Sequence, residues 1–465
     1  MKRNWLQALL FGAALSAAAA FQAGHSWADT LFGAMEKAYV TNPTLNAARA
    51  GQRATDELVP QALSGWRPTV TVQGEVTSES SRAPSFFTGE QEQDRTESGS
   101  LAIRLNQPLF RGFGTVESIR AAEAQVDAGR QGLLETEQQM LFNVVQAYMN
   151  VYAGRQLVSL RKQDVSALEA QVRASNERFA VGEITRTDVA QAEARLAESR
   201  TALVDVQTRL AQDVAFYMQM VGNEPGRLSY PKISKLPPSL KAALDIAGEI
   251  NPRLLAQAFV EVASNAQVGV ARSGLLPSAD LRAAAITADP DFSVEGNGQR
   301  SASITAAISI PLYEAGLVYS QVREAKQRAS QSRIELIEIA RDVRRAVAES
   351  WNAFVGLAEI IRNTRTQVRA AQLALSGVQQ EYQAGTRTTL DVLDAQREVV
   401  QAQVLQVQAE KSRVIAGYQL LAAIGKLTAR DVGLKVPVYD PEANYLRVRN
   451  KWIGTGVETI DGNGE

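Results

Sequence analysis

Two long stretches of the chain have the hydrophobic pattern of helices. Residues 109–224 and 312–436 contain no proline and are rich in Ala, Gln, Glu, Arg and Leu. Their apolar residues recur at heptad-like steps, which predicts amphipathic helices. The positions are Leu196, Leu203, Val206 and Leu210 in the first stretch, and Leu393, Val400, Val404 and Val407 in the second.

Each helical stretch is longer than one helix of a compact domain. Residues 112–181 alone would extend roughly 105 Å as a continuous helix, at about 1.5 Å per residue. A turn at Gly182 in the first stretch, and at Gly385 in the second, would send the chain back. The sequence therefore predicts two long helical hairpins, at about residues 112–222 and 316–425. A plain antiparallel coiled coil explains the same pattern.

Short segments in which polar and apolar residues alternate precede both helical stretches. They lie at residues 69–73, 100–106, 278–282 and 301–310. A period of two predicts four strands in two β-hairpins, at about residues 69–107 and 278–310, with a polar loop at residues 78–100. Strands of roughly 9 to 11 residues fit a membrane-spanning sheet with one lipid face. A half-exposed soluble sheet is the alternative.

Four strands are too few to close a membrane barrel. Small bacterial barrels need about eight strands, and an open edge in lipid leaves backbone groups without hydrogen bonds. A membrane role therefore requires several copies of the chain. Two or three copies would supply eight or twelve strands, and periodicity does not choose between them.

The chain contains an internal repeat. NPTL at residues 42–45 recurs as NPRL at residues 251–254, a spacing of 209 residues, and PLF at residues 108–110 recurs as PLY at residues 311–313, a spacing of 203. The spacing of 203 persists through the helical stretches, which chance does not explain. We predict a first repeat at residues 29–222, a connector at 223–250, a second repeat at 251–425 and a C-terminal segment at 426–465.

The N-terminus has the pattern of an export signal. Lys2 and Arg3 precede an apolar, alanine-rich run, and the run ends near Ser26-Trp27-Ala28, a small-x-small cleavage site. We expect residues 1–28 to be removed, which changes the formal charge from −1 to −3 because two basic residues and no acids leave. The run is too short for a spanning anchor. No basic excess favours nucleic acid as a partner.

The sequence lacks the residues of common catalytic and metal sites. It has 0 cysteines, which excludes disulfides, thiolate metal sites and a lipid-modified cysteine. Its 1 histidine, His25, lies in the predicted signal, so the mature chain has no imidazole for a catalytic triad or a zinc site. We therefore predict no catalytic residue, no metal and no cofactor. An exported enzyme is the weakest alternative.

Two motifs at equivalent positions resemble the periplasmic helical turns of TolC-type outer-membrane efflux proteins. Residues 178–189 read RFAVGEITRTDV, and residues 382–395 read YQAGTRTTLDVLDA. Together with the signal, the repeat and the hairpins, they extend the resemblance over essentially the whole mature chain. A soluble periplasmic coiled-coil adaptor or scaffold is the main alternative, but it leaves the four alternating segments without a purpose.

The resemblance implies an α+β membrane protein that exports drugs or secreted proteins. Its homotrimer would place a twelve-stranded β-barrel in outer-membrane lipid and a twelve-helix tunnel in the periplasm. The connector and the C-terminal segment would form an equatorial region. The tunnel would dock with a periplasmic membrane-fusion adaptor, which is bound to an inner-membrane efflux pump or ABC transporter.

The resemblance also implies a ring of carboxylates at the periplasmic tip. Asp391 and Asp394 are three residues apart, so on a helix they share one face. Threefold symmetry would gather six carboxylates around the pore and select cations. Crowding of like charges would raise the pKa of some of them. An exposed, solvated aspartate pair is the alternative.

The matching positions further imply a gate and two docking turns. Arg387 and Tyr382 would link neighbouring hairpins by contacts with Thr187 and Asp188. The alternative is that Arg387 is only a surface charge at a helix end, where an exposed ion pair contributes little to stability. The adaptor would dock at Val181, Gly182 and Glu183 and at Ala384, Gly385 and Thr386. Glu183 departs from the apolar residue often found after the first glycine in this family.

Overall fold

The computed structural model describes residues 30–84, 91–233, 236–289 and 299–457. The strands in these residues are β1 (Thr69–Pro84), β2 (Gln91–Arg111), β3 (Ser278–Asp289) and β4 (Gln299–Ser309). The helices of the first repeat are α1 (Leu31–Thr41), α2 (Pro43–Asp56), α3 (Leu58–Leu63), α4 (Gly114–Ala180) and α5 (Arg186–Val221). Those that follow are α6 (Leu240–Ile250), α7 (Pro252–Ser273), α8 (Leu317–Gln383), α9 (Thr389–Ala423), α10 (Ala429–Val432) and α11 (Pro441–Val448).

The architecture confirms the predicted fold class. Helices α4 and α5 form one long hairpin, and α8 and α9 form the other, while two β-hairpins supply the strands. The described chain divides into two compact units. Unit 1 contains residues 30–45, 137–247 and 345–438, and unit 2 contains residues 46–136, 248–344 and 439–457. Each unit therefore takes segments from both repeats.

The Asn-Pro pairs of the repeat begin equivalent helices. The Asn42 side chain accepts a hydrogen bond from the amide of Thr44 at 2.9 Å, and the Asn251 side chain accepts one from the amide of Leu254 at 3.1 Å. Proline suits the next position because it lacks an N–H that would have no helical partner there. The repeated motif is thus a helix start.

The second repeat begins earlier than the sequence predicted. Helices α1 and α6 both contain 11 residues, and their first residues, Leu31 and Leu240, are 209 apart. Ala243 and Ala247 of α6 are buried like their counterparts in α1. The repeat boundary therefore falls inside the predicted connector at residues 223–250. The predicted connector was too long because α6 shares two buried alanine positions with α1 but few of its residue identities.

The described strands of unit 2 form one antiparallel sheet in the order β1-β2-β3-β4. β1 has 16 residues and β2 has 21. The predicted loop at residues 78–100 is wrong, because Ser78 lies opposite Glu97 in the paired strands. The sequence at residues 78–84 and 91–100 has no alternating apolar residues, so it resembles a loop while its backbone continues to pair. Residues 85–90 lie outside the described residues.

The sheet has one apolar and one polar face. Val70, Leu105, Ala283 and Ile304 form one row across the four strands. The adjacent row is Thr71, Arg104, Ala284 and Ser303, and its side chains point to the opposite face. Val70 is 62% exposed and Ile304 is 79% exposed. The apolar face is therefore continuous over all four strands, and no part of the described chain covers it.

No helix in the described ranges has both the length and the apolar character needed to cross a membrane. The predicted signal at residues 1–28 lies outside those ranges.

Candidate functional site

The two hairpin turns of unit 1 share one backbone geometry. In the first turn, the amide of Glu183 donates to the carbonyl of Arg178 at 2.9 Å. In the second, the amide of Thr386 donates to the carbonyl of Glu381 at 3.0 Å. These six-residue closures, each with a left-handed glycine inside, are Schellman helix ends. The matching motifs of the sequence therefore form matching turns.

We expect opposite effects from two glycine substitutions near the second turn. Gly385 has a φ of +80°, so Gly385→Ala should destabilise the turn by about 1 kcal/mol, although nothing lies within 4 Å of the added Cβ. Gly377 lies inside α8 and has equally open surroundings. Gly377→Ala should stabilise the helix by up to about 1 kcal/mol. Amide hydrogen exchange at the turn would measure both changes, and equal signs would contradict this account.

Each turn leads into a helix that begins with a capping box. The carboxylate of Asp188 accepts hydrogen bonds from the Thr185 amide at 2.9 Å and the Thr185 hydroxyl at 2.7 Å. The carboxylate of Asp391 accepts the same two bonds from Thr388, at 2.9 and 2.8 Å. Both aspartates occupy the third helical position, where they cap the helix start. They therefore have a local structural role in addition to any role in a pore.

The capping bonds keep Asp391 ionised. The pKa of its carboxyl is lowered, first by the backbone amide of Thr388, then by the Thr388 hydroxyl, with a further contribution from Arg387. The pKa of Asp188 is also lowered, first by the hydroxyl of Thr185 and then by its backbone amide. Within one chain this direction is opposite to the crowding effect predicted from the sequence. Crowding between neighbouring chains stays a prediction.

Asp394 has different partners from Asp391, although both lie on α9. Its carboxylate is 3.1 Å from the guanidinium of Arg195 on α5 and 3.5 Å from that of Arg397. The bond to Arg195 joins the second hairpin to the first. Apolar residues from both hairpins, one of them next to Asp394 in the sequence, form a small core: Leu168, Ala192, Leu196 and Leu393. Asp394 thus acts within the chain as a tie between hairpins, and its negative charge is largely balanced.

Tyr382 and Arg387 contact residues of their own hairpin. The hydroxyl of Tyr382 is 3.2 Å from the hydroxyl of Thr389, which is buried. The guanidinium of Arg387 donates to the carboxylate of Glu381 at 2.7 Å. That bond is the main reason why the pKa of Arg387 is raised, and Asp391 adds to the effect. Both residues therefore brace the second turn.

The predicted ties from Tyr382 and Arg387 to Thr187 and Asp188 do not form within the described part of one chain. Thr187 is exposed on the first turn of α5, and Asp188 is engaged in its capping box. The ties stay a prediction for contacts between neighbouring chains.

One arginine joins the two turns directly. The guanidinium of Arg178 in α4 lies 4.6 Å from the centre of the Tyr382 ring in α8. Its Nε is also 3.5 Å from the carboxylate of Glu183. A cation over a tyrosine ring at an exposed site stabilises by about 0.5 to 1 kcal/mol. Arg178 therefore links the first turn to Tyr382 through a weak contact.

The residues predicted to dock an adaptor form an open surface. The side chain of Val181 is 72% exposed, and Phe179 nearby is 45% exposed. The remaining docking residues are exposed as well: Gly182, Glu183, Ala384, Gly385 and Thr386. Within the chain, both turns are therefore accessible to a partner.

Comparison with known proteins decides the family. The sequence pattern of the family described as "Outer membrane efflux protein" matches residues 34–223 and 243–426, which is most of the chain. This chain belongs to the outer membrane efflux protein family. It is 38% identical over 455 residues to outer membrane efflux protein BepC of Brucella suis biovar 1 (strain 1330), covering 98% of this chain and 96% of BepC.

A more distant sequence relative and a solved structure agree with this assignment. The chain is 26% identical over 434 residues to outer membrane protein TolC of Escherichia coli (strain K12), covering 88% of this chain and 84% of that protein. The fold matches the Campylobacter jejuni CmeC outer membrane channel with a TM-score of 0.76, at 16% identity, over 90% of this chain and 89% of CmeC. The resemblance inferred from the sequence is thereby confirmed, together with an outer-membrane location and a role in efflux.

Sequence reasoning missed three features of this efflux protein's turns. The first is the pair of capping boxes, whose Thr-x-x-Asp spacing is a recognisable signal of a helix start in the sequence. Arg178 stood in the quoted motif without a role. Arg195 carried no signal at all, since its partner Asp394 lies 199 residues away. No group of three His, Cys, Asp or Glu residues in the described ranges is placed to hold a metal ion.

Proposed function

We propose that three copies of this chain form an outer-membrane channel with a periplasmic tunnel. The observation that supports this most directly is the continuous apolar face of the four-stranded sheet. Within the described residues, β1 and β4 each have a neighbour on one side only. An open strand edge is not tolerated in lipid, so a sheet of this kind requires further strands from other copies. Three copies would supply twelve strands, the number that the family resemblance implies.

The channel would be the exit duct for drugs, for proteins of type I secretion, or for both. The exposed turns around Gly182 and Gly385 would receive a periplasmic membrane-fusion adaptor. That adaptor would connect the tunnel to an inner-membrane efflux pump or ABC transporter. Asp391 and Asp394 would stand near the periplasmic entrance, where Tyr382, Arg387 and their neighbours would restrict opening.

Two neighbouring residues on β4 test which face of the sheet meets lipid. Ile304 lies on the apolar face and Ser303 on the polar face. We expect Ile304→Arg to disfavour insertion by about 2 to 4 kcal/mol if the residue sits near the middle of the bilayer. Ser303→Arg should be tolerated because that face would meet water. The yield of membrane-inserted, heat-modifiable oligomer would measure both, and equal sensitivity would contradict the assignment of the faces.

Purified protein in a planar bilayer tests the function itself. A channel with a small, cation-preferring conductance and an oligomer that dissociates on heating would support the proposal. Protein that stays soluble without detergent and never inserts would instead favour the periplasmic coiled-coil scaffold.

A further inference from the structure

The contacts of Arg178 run from one hairpin turn to the other. Glu183, which binds its guanidinium, lies directly after Gly182 in the first turn. Tyr382, whose ring the same guanidinium covers, lies three residues before Gly385 in the second. One side chain thus bridges segments that are 204 residues apart in the sequence. The bridge holds the two turns of a single chain together.

The path continues from Tyr382 towards the carboxylate predicted to face the pore. The Tyr382 hydroxyl is 3.2 Å from the hydroxyl of Thr389, the first residue of α9. Thr389 is 2% exposed, so it is closely packed and moves together with its neighbours. It directly follows Thr388, whose amide and hydroxyl hold the carboxylate of Asp391. A shift of the Tyr382 ring would therefore reach the start of the helix that carries Asp391.

The first contact in this path is accessible to a partner. The side chain of Glu183 is 61% exposed, and that of Arg178 is 36% exposed. A docking protein that covers the first turn must contact or displace Glu183. Loss of its carboxylate would leave the Arg178 guanidinium free to turn away from the Tyr382 ring.

We propose that Arg178 is a positioning residue that couples docking at the first turn to the gate of the second hairpin. The inference rests on the proposed channel and its docking turn. In the undocked protein, Glu183 orients Arg178 over Tyr382 and the second hairpin stays in its closed position. Docking at the first turn removes Glu183 from Arg178, and the hold on Tyr382 is released.

Single-channel recording of the Arg178→Ala variant tests the coupling. Without its cation over Tyr382, each chain should favour the open position about two- to fivefold more than in the wild type. If three chains open together, the ratio of open to closed channels should rise roughly 10- to 100-fold. Glu183→Gln should raise it less, since the glutamine amide oxygen can still accept a weaker hydrogen bond from Arg178 and so hold the guanidinium over Tyr382 for part of the time. Arg178→Lys should restore part of the closed population.

A matched control lies on the same hairpin. Arg200 in α5 forms an exposed ion pair with Glu169 in α4 at 2.8 Å, within the first hairpin alone. Arg200→Ala removes a similar charge pair without touching the second hairpin. It should leave the open fraction unchanged. If Arg178→Ala and Arg200→Ala give the same ratio of open to closed channels, the coupling is refuted, but the proposed channel function is not. If the wild type forms no channel, the proposed function itself fails.

A distance measurement tests the coupling without any conductance. The chain has 0 cysteines, so Val181→Cys and Thr386→Cys would place two spin labels, one on each exposed turn, with no background labelling. Labelled chains diluted into unlabelled protein would report the separation within one chain. We expect Arg178→Ala to broaden and lengthen that distance distribution, and Arg200→Ala to leave it unchanged. An unchanged distribution in the Arg178 variant would overturn the proposal.

Discussion

Asp391→Asn should remove most of the block that a multivalent cation exerts from the periplasmic side, while Asp394→Asn should leave most of it. The Asp391 carboxylate is kept ionised by Thr388, whereas Arg195 and Arg397 balance the charge of Asp394. A ring of three ionised carboxylates attracts a trivalent ion far more strongly than a neutral ring. We expect the apparent affinity for that ion to fall about tenfold or more, as each 1.4 kcal/mol is a factor of ten.

The substitution to Asn separates charge from helix capping. Its amide oxygen can still accept a hydrogen bond from Thr388, so most of the helix start survives. Asp188→Asn is the matched control, because Asp188 closes the equivalent capping box of the other repeat. If Asp188→Asn abolishes the block as completely as Asp391→Asn does, helix capping rather than a pore charge explains the effect.

The block should also persist in moderately acidic solution. The pKa of Asp391 in the folded chain is lowered from the usual 3.8. Its charge is therefore present above that usual value and is lost only as the pH falls through the lowered pKa. A block titrated between pH 7 and pH 3 would show this. Loss of the block well above pH 3.8 would indicate that crowding between chains outweighs the capping bonds.

The repeat made most of the fold readable from the sequence. Gly182 and Gly385, with the proline-free stretches around them, were enough to predict both helical hairpins and their turns. Helix periodicity is a local property, so it survives without knowledge of the partner. The length of the β1–β2 hairpin was missed because strand pairing is not a local property. Strand pairing at Ser78 and Glu97 depends on backbone bonds to another segment, and side-chain pattern does not record them.

The candidate site was only half readable for a similar reason. The residues of the turns stood out as motifs, but their partners did not. Arg178 meets Tyr382 and Arg195 meets Asp394 across about two hundred residues of intervening chain. No periodicity connects such pairs. The motif therefore predicted where a gate would lie, whereas the contacts showed that Asp391 and Asp394 differ in charge balance.

Asp56→Ala should loosen the C-terminal segment of unit 2, residues 439–457, although Asp56 itself lies at the end of α2. Asp56 is 0% exposed, and its carboxylate accepts hydrogen bonds from the side chains of Asn444 at 2.7 Å and Gln52 at 3.0 Å. Asn444 belongs to α11, so this buried carboxylate fixes α11 to α2. Alanine would leave two buried amides without that acceptor and create a small cavity. We expect a loss of about 3 kcal/mol.

Limited proteolysis and hydrogen exchange of residues 441–448 would measure the loosening of α11. Asp440→Ala is the control from the same segment, because Asp440 caps α11 through the amide of Glu442 at 2.9 Å but is exposed. Loss of an exposed cap costs about 1 kcal/mol. If the two variants loosen α11 equally, the buried carboxylate of Asp56 stabilises α11 no more than the exposed cap does.

The pH dependence distinguishes a buried carboxyl from a simple hydrogen-bond acceptor. Burial raises the pKa of Asp56 above the usual 3.8, against the opposing effects of Asn444, Gln52 and two nearby arginines. The folded state therefore binds this proton more tightly than the unfolded chain does. The part of the stability that comes from this tighter proton binding is fully present below pH 3.8 and is lost as the pH rises through the folded pKa of Asp56. Asp56→Asn has no proton to bind there. The advantage of the wild type over Asp56→Asn should thus shrink from pH 3.5 to pH 7, and a growing advantage would mean that the ionised form is the one that the fold prefers.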